Sequence, residues 1–245
     1  MTVSGWNEKY SEILKEFGYN RTTDNKSAKL LNSILDKPIS EKTLQNKIKN
    51  QTVFVVGSGY SLYKSYNALR KFKDKTIIAA DSSLESLLQN KITPDIVVTD
   101  LDGSIQSLKQ LAKTKTIFVV HAHADNITKI PFVTNFKNCI GTTQSNPIGR
   151  IKNFGGFTDG DRAVFLASYF QAKKIILFGM DFGKRISRIS KTKPSERTTK
   201  LKKLKMGKKL LEWLAQKTES QLYTTSSKID GFQKIPFSKL DDIIT

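Results

Sequence analysis

Between residues 52 and 178 the chain alternates six short apolar runs with amphipathic stretches, and this alternation most constrains the fold. The runs cover 52–56, 76–80, 95–99, 116–120, 139–142 and 174–178. Each is short, rich in Val, Ile and Phe, and apolar on both sides of the chain, as a strand covered on both faces must be. Helical spacing marks 61–71, 83–89, 104–113 and 159–170 between them. Parallel strands need long crossovers, which these stretches supply. The expected fold is therefore α/β: a doubly wound, mostly parallel, Rossmann-like sheet. A last helix over 199–217 and an edge strand over 222–225 complete it.

Residues 1–50 read differently. Trp6, Tyr10, Ile13, Leu14 and Phe17 keep helical spacing until Gly18. Leu30, Leu31, Ile34 and Leu35 mark a second helix, stopped near Pro38. Ser40 can cap a third that carries Leu44 and Ile48. The expectation is a helical N-terminal segment packed on a main domain over 51–245, with no chemistry of its own.

Charge is unevenly placed. Of a net +19, more than half lies in 184–209, where twelve Lys and Arg face Glu196 alone. Such a stretch suits a mobile basic lid over a polyphosphate, or a nucleic-acid contact. A single cysteine, Cys139, rules out an internal disulfide and a multi-thiolate zinc site. No apolar run approaches the roughly 20 residues that span a bilayer, and the first residues lack a signal-peptide pattern. A cytoplasmic protein with no membrane partner is expected; a homo-oligomer is compatible with this reading.

In an open parallel sheet, ligands bind beyond the carboxyl ends of the strands. Here those ends carry the polar chemistry. The third strand runs into Asp100-Leu101-Asp102-Gly103. Side chains two apart on a strand face the same way, so the two carboxylates should lie side by side. Adjacent carboxylates repel unless a cation intervenes, and a hard divalent ion such as Mg2+ takes oxygen ligands. The second strand ends at Asp81. The first ends in Gly57-Ser58-Gly59-Tyr60-Ser61, a turn that either cradles phosphate with its amides or is an ordinary glycine turn. Leu62 stands where a third glycine would complete a dinucleotide fingerprint.

The fourth strand ends in His121, His123 and Asp125, which can join a metal site or hydrogen-bond phosphate as neutral rings. The fifth ends in Gly141, Thr142, Thr143 and Gln144. The run from Asn153 through Gly155, Gly156, Phe157, Thr158, Asp159 and Asp161 to Arg162 opens a helix. Thr158 or Asp159 fits its N-cap. The glycines would let a flat ligand approach the backbone, and Phe154 or Phe157 could stack on a ring.

Together these runs resemble the archaeal-type 6-hydroxymethyl-7,8-dihydropterin diphosphokinases, a family related to thiamine pyrophosphokinases. The resemblance rests on VVGSGYSL (55–62), AADSSLESLL (79–88), PDIVVTDLDG (94–103), HAHADN (121–126), GTTQ (141–144), NFGGFTDGDRA (153–163) and FGMDFG (178–183). HAHADN departs from the family at Ala124, where glycine is expected. The resemblance implies transfer of diphosphate from ATP to the hydroxymethyl oxygen of a reduced pterin, with release of AMP. It implies that Asp100 and Asp102 hold Mg2+, with Asp81 as third ligand or as base. Gly57, Ser58, Gly59, Ser61, His121, His123, Asp125, Thr142, Thr143 and Gln144 would contact ATP. Asn153, Gly155, Gly156, Phe157, Asp159 and Asp161 would face the pterin. Arg162, or lysines of 184–209, would meet the polyphosphate, with Gly183 as hinge.

Two rivals differ in class. A nucleotide-sugar-dependent glycosyltransferase-like enzyme would share the glycine turn and the sheet. A nucleic-acid-binding module would use the basic stretch but leave the acidic rim unexplained, since carboxylates repel phosphate.

Overall fold

The computed structural model describes residues 3–244. Its core is one sheet of eight strands, all parallel: β1 Thr52–Val56, β2 Thr76–Ala80, β3 Ile96–Thr99, β4 Ile117–Ala122, β5 Cys139–Thr143, β6 Lys174–Phe178, β7 Gln221–Thr224 and β8 Gln233–Lys234. Their order is β5-β4-β3-β2-β1-β6-β7-β8. The chain winds outward from β1 to β5, then returns to the other side of β1. The β1/β6 boundary is thus the switch point, beyond whose carboxyl ends ligands bind in such sheets.

Among the described residues nine helices flank the sheet: α1 Trp6–Phe17, α2 Arg21–Ile34, α3 Glu41–Ile48, α4 Tyr66–Lys71, α5 Asp81–Gln89, α6 Ile105–Leu111, α7 Asp159–Tyr169, α8 Arg197–Ala215 and α9 Leu240–Ile244. The strands divide their side chains by the period of two. Val53, Val55, Ile96, Val98, Ile117 and Val119 pack on one face with Trp6, Tyr10, Leu44, Phe165 and Leu211. Phe54, Val56, Val97, Phe118 and Val120 pack on the other, with Leu31, Leu69, Leu84 and Leu108. Each such side chain, taken from water, contributes about 1.5–3 kcal/mol.

The N-terminal helices are woven into both layers. Trp6, Tyr10, Ile13, Leu44 and Ile48 belong to one core, whereas Ala28 and Leu31 of α2 belong to the other. Trp6 Nε1 donates to the Gln144 carbonyl at 2.8 Å. Cys139 is buried, and burial pushes its thiol well above its ordinary range.

Some elements differ from the sequence expectation. The helix expected over 61–71 is a 3-10 turn, Tyr60–Lys64, followed by α4. Asp181 draws the Ser61 amide to its carboxylate at 2.9 Å, and Leu62 N and Ser65 N bond three residues back. Helix α5 begins at Asp81 rather than Ser83. Ser40 stands at the N-cap of α3, but its hydroxyl meets Thr43 Oγ1 at 3.3 Å and caps no amide. The edge strand is β8, beyond β7, only two residues long and ending in Lys234. A short, charged edge discourages pairing with another chain. Among the described residues no helix is long and apolar enough to cross a membrane.

Candidate active site

Beyond the carboxyl ends of the strands lies a cavity of about 320 Å³. Gly57, Ser58 and Gly59 line it from β1, Asp81 and Ser82 from α5, and Asp100 and Asp102 from the turn after β3. His121 and His123 follow β4, and Gly179 to Phe182 follow β6. Phe157, Thr158 and Asp159 close one side. Residues from Arg185 to Leu204 roof it.

Asp81, Asp100, Asp102 and Asp159 each offer a carboxylate oxygen within 4.8 Å of the others. Asp81 is buried at the first residue of α5. Its Oδ2 accepts from Thr99 Oγ1 at 2.5 Å and from Gly103 N at 3.1 Å. Its Oδ1 is buried with no hydrogen-bond partner. A Cβ at Gly103 would stand 2.1 Å from that oxygen, so only glycine lets the turn close on Asp81.

The pairing of Asp100 with Asp102 has a different origin from the one expected. Strand β3 stops at Thr99, and Leu101 between the two acids is left-handed, with φ 66°. A turn brings them together, not the pleat of a strand. A buried leucine in that conformation costs about 1–2 kcal/mol, held by its amide's bond to Thr99 Oγ1 at 2.8 Å. Asn126 ties this turn to β4, donating to the carbonyls of Asp100 (2.7 Å) and His121 (2.6 Å).

The cluster is electrostatically tense. Burial, then the Asp100 charge, pushes Asp102 up to about 7. Burial, with a further push from Asp100, takes Asp81 up to about 6. Burial and then the other three carboxylates hold Asp159 well above its ordinary value. Burial acts the same way on Asp100. There, hydrogen bonds from His123 and Asp102, helped by the His123 and Arg162 charges, win and hold it below the usual carboxylate range. His123 Nε2 lies 3.3 Å from Asp100 Oδ2.

Four hard oxygen donors, one of them a buried orphan, fit a divalent cation of the Mg2+ kind. The sign of the proton linkage follows. Without metal, the folded state keeps protons on Asp81 and Asp102 that the unfolded chain releases, so stability falls as pH rises from about 4 to 7. A divalent cation must displace those protons. Mg2+ should therefore raise the melting temperature little near pH 5 and clearly near pH 8. Equal shifts at both values in thermal melts would sink this account of the cluster.

The structure sorts the expected site residues. Gly57, Ser58, Gly59, Asp81, Asp100, Asp102, His121, His123, Gln144, Phe157 and Asp159 line the cavity. Ser61, Asp125, Thr142, Thr143, Asn153, Gly155, Gly156, Asp161 and Arg162 do not. The amides of Gly57 and Gly59 donate to the carbonyls of Phe178 (2.9 Å) and Gly179 (2.7 Å), so these two amides stitch β1 to β6. Ser61 gives its amide and hydroxyl to Asp181. Thr142 Oγ1 donates to the Val120 carbonyl, and Thr143 Oγ1 accepts from Ser145 N. Asn153 binds the carbonyls of Gln144 and Ser145. Asp161 is the capping partner at the start of α7, accepting from Phe157 N at 2.6 Å and Thr158 N at 2.8 Å. Gly155 and Gly156, with φ 86° and 88°, shape that turn.

Arg162 is buried beneath the turn, donating to the carbonyls of Gly156 and Phe157. It is not among the residues lining the cavity, but its charge acts on Asp100 and Asp159. Asp125 is the exposed member of its run, its amide bonded to His123 Nδ1 at 3.3 Å. Ala124 adopts none of the positive-φ conformations that favour glycine, which accounts for alanine there.

His121 and His123 stack at 5.6 Å. His121 Nε2 is buried without a partner, and burial, then the Arg162 charge, keeps this imidazole neutral. The acidic cluster is made of carboxylates alone, so neither histidine belongs to it. Sequence reading placed Asp159 with the pterin; the structure sets it among the other three acids. Ser82, Asp181 and Tyr19 also line the cavity without having been expected there, and of the lysines in 184–209 it is Lys191, Lys200 and Lys203 that reach it. For Tyr19 a signal existed: Gly18, left-handed at φ 67°, ends α1 and turns the next residue toward the cavity.

Fold and site together define a Rossmann-like α/β protein with a cation-competent acidic centre at the carboxyl rim of its sheet. Comparison with known proteins narrows this. A family model described as MptE-like 6-hydroxymethylpterin diphosphokinase matches residues 25–187, and the chain belongs to that family. The 6-hydroxymethyl-7,8-dihydropterin pyrophosphokinase of Pyrococcus furiosus is 46% identical over 218 residues, covering 85% of this chain and 92% of the relative. The protein of the same name from Methanocaldococcus jannaschii is 39% identical, covering 89% and 98%. That from Methanothermobacter thermautotrophicus is 37% identical, covering 87% and 95%. Among solved structures, a Maf glycosyltransferase from Magnetospirillum magneticum superposes with a TM-score of 0.56 at 14% identity. It matches 91% of this chain, which spans 39% of that one, and the likeness is one of fold.

Proposed function

We propose that this chain is a 6-hydroxymethyl-7,8-dihydropterin diphosphokinase. It transfers diphosphate from ATP to the pterin hydroxymethyl group and releases AMP in the cytoplasm, as a step of pterin cofactor biosynthesis. The observation that carries this reading is the four-carboxylate cluster, with its orphan Asp81 oxygen, lying under a roof of lysines and arginine. Names carried by relatives of nearly equal length agree with it.

In this reading the hydroxymethyl oxygen attacks the β-phosphorus, the bond from that phosphorus to the α,β-bridging oxygen breaks, and AMP leaves with that oxygen. The hydroxyl proton passes to a carboxylate of the cluster. Asp81, Asp100, Asp102 and Asp159 would hold Mg2+, which when bound neutralises charge on the phosphate oxygens. The protein's own share is positional. The glycine surface of Gly57 and Gly59 lets the nucleotide lie close, with the Ser58 and Ser82 hydroxyls beside it. Phe157, packed on Phe17 at 4.9 Å, offers a flat wall to the pterin ring. Arg185 and Lys191 in the roof face the phosphates, and Lys191 latches to Glu85. Roofing also excludes water, which would otherwise compete for the transferred group.

Mg-ATP supplied with 6-hydroxymethyl-7,8-dihydropterin should yield AMP in step with the diphosphorylated pterin. Omitting the pterin, or adding EDTA, should stop it. AMP release that ignores the pterin would reject the assignment and return attention to nucleotide-sugar donors.

A further inference from the structure

Helix α8 carries many lysines, but few of them look inward. Lys200, Lys203 and Leu204 line the cavity. One turn later Gly207 is buried against α7, where a Cβ would meet Asp161 Oδ1 at 3.1 Å. That close approach seats α8 against the start of α7, where Asp159 stands, with Lys203 on the wall of the same cavity. The Lys203 ammonium lies 5.9 Å from the centre of the Tyr19 ring. Burial disfavours its charge, yet Tyr19, Asp100 and Asp125 outweigh burial and keep it a cation.

Tyr19 is itself fixed. Its amide donates to the Leu14 carbonyl at 3.0 Å, closing α1. Its ring stacks on Phe17 at 5.6 Å, and Phe17 rests on Phe157. A free lysine side chain samples many rotamers, so a rigid neighbour that orients it lowers the entropic cost of placing its charge.

We propose that Lys203 is a catalytic cation meeting the transferring diphosphoryl group, and that Tyr19 is its positioning residue, which makes the N-terminal helices part of the active site. The proposal rests on the diphosphokinase reading. Lys203 donates hydrogen bonds to non-bridging phosphate oxygens and keeps its protons throughout.

Kinetics of pterin-dependent AMP release test it, with circular dichroism showing that each variant folds. Lys203→Met should lower kcat about 10²- to 10³-fold with the pterin KM within about twofold, and Lys203→Arg should recover part of the loss. Tyr19→Leu removes the ring that Lys203 lies over; kcat should fall about tenfold with KM unchanged. The double variant Tyr19→Leu/Lys203→Met should be no slower than Lys203→Met alone, because the two act as one unit. Wild-type kcat in either single variant, or losses that multiply in the double, would overturn the proposal. An inactive wild-type protein would instead overturn the diphosphokinase reading, and the assignment with it.

Discussion

Asp102→Asn is expected to lower kcat at least about 10³-fold while leaving the protein as stable as wild type, or slightly more so. The acid lies in the cluster that fits a divalent cation, and asparagine keeps its shape but removes its charge. Asp102 is also the cluster member most exposed to solvent. Its charge is opposed by burial and by Asp100 and Asp81, so neutralising it relieves repulsion in the metal-free protein. Circular dichroism and a thermal melt separate the two outcomes. Lost structure would mean that the pair holds the β3 turn together rather than a cation. The stabilising effect of Mg2+ should vanish with the activity.

The second large effect is on stability. Asp24 is buried on α2 and accepts from Tyr10 Oη (2.6 Å), Gln144 Nε2 (2.7 Å) and Ala124 N (2.9 Å). One carboxylate thus joins α1, the loop after β5 and the loop after β4. Burial, and then this bond to Asp24, drives the Tyr10 phenol well above its ordinary range. Asp24→Ala leaves two buried donors and one half-buried amide without an acceptor. At about 1–3 kcal/mol each, partly offset by water entry, the loss should be about 3–5 kcal/mol. In a chain of this size the melting temperature should drop by roughly 10 °C. A loss below about 1 kcal/mol in urea unfolding would show that water replaces the carboxylate at little cost. Activity should fall as well, since Gln144 and His123 line the cavity from those two loops.

Strands β1, β2 and β6 begin and end where the apolar runs do, because a strand buried on both faces must be apolar throughout and polar where it emerges. The rim was legible for the same reason. In a parallel sheet every carboxyl end points the same way, so chemistry that follows six separate strands must converge. Which residues within each run reach the cavity was not legible. The NFGGFTDGDR run reads as a ligand loop, yet Asp161 and Arg162 hold its own backbone and Asn153 ties it to the loop after β5. Side chains that satisfy a tight turn and side chains that grip a ligand are drawn from the same polar set.

The parallel α/β fold, the family and the acidic rim can be read along the chain, because period, spacing and motif order are local or additive properties. The remainder depends on how distant segments pack. Asp159 lies nearly sixty residues beyond Asp100 and Asp102, yet α7 returns its N-terminus to their side of the sheet. Tyr19 joins the cavity because α1 packs on the face where α7 and α8 lie. Leu101 takes a strained backbone that no propensity favours, held by Thr99 and by the closing of Gly103 on Asp81. Contacts between residues far apart in sequence depend on how layers stack, and only packing of the whole chain sets that.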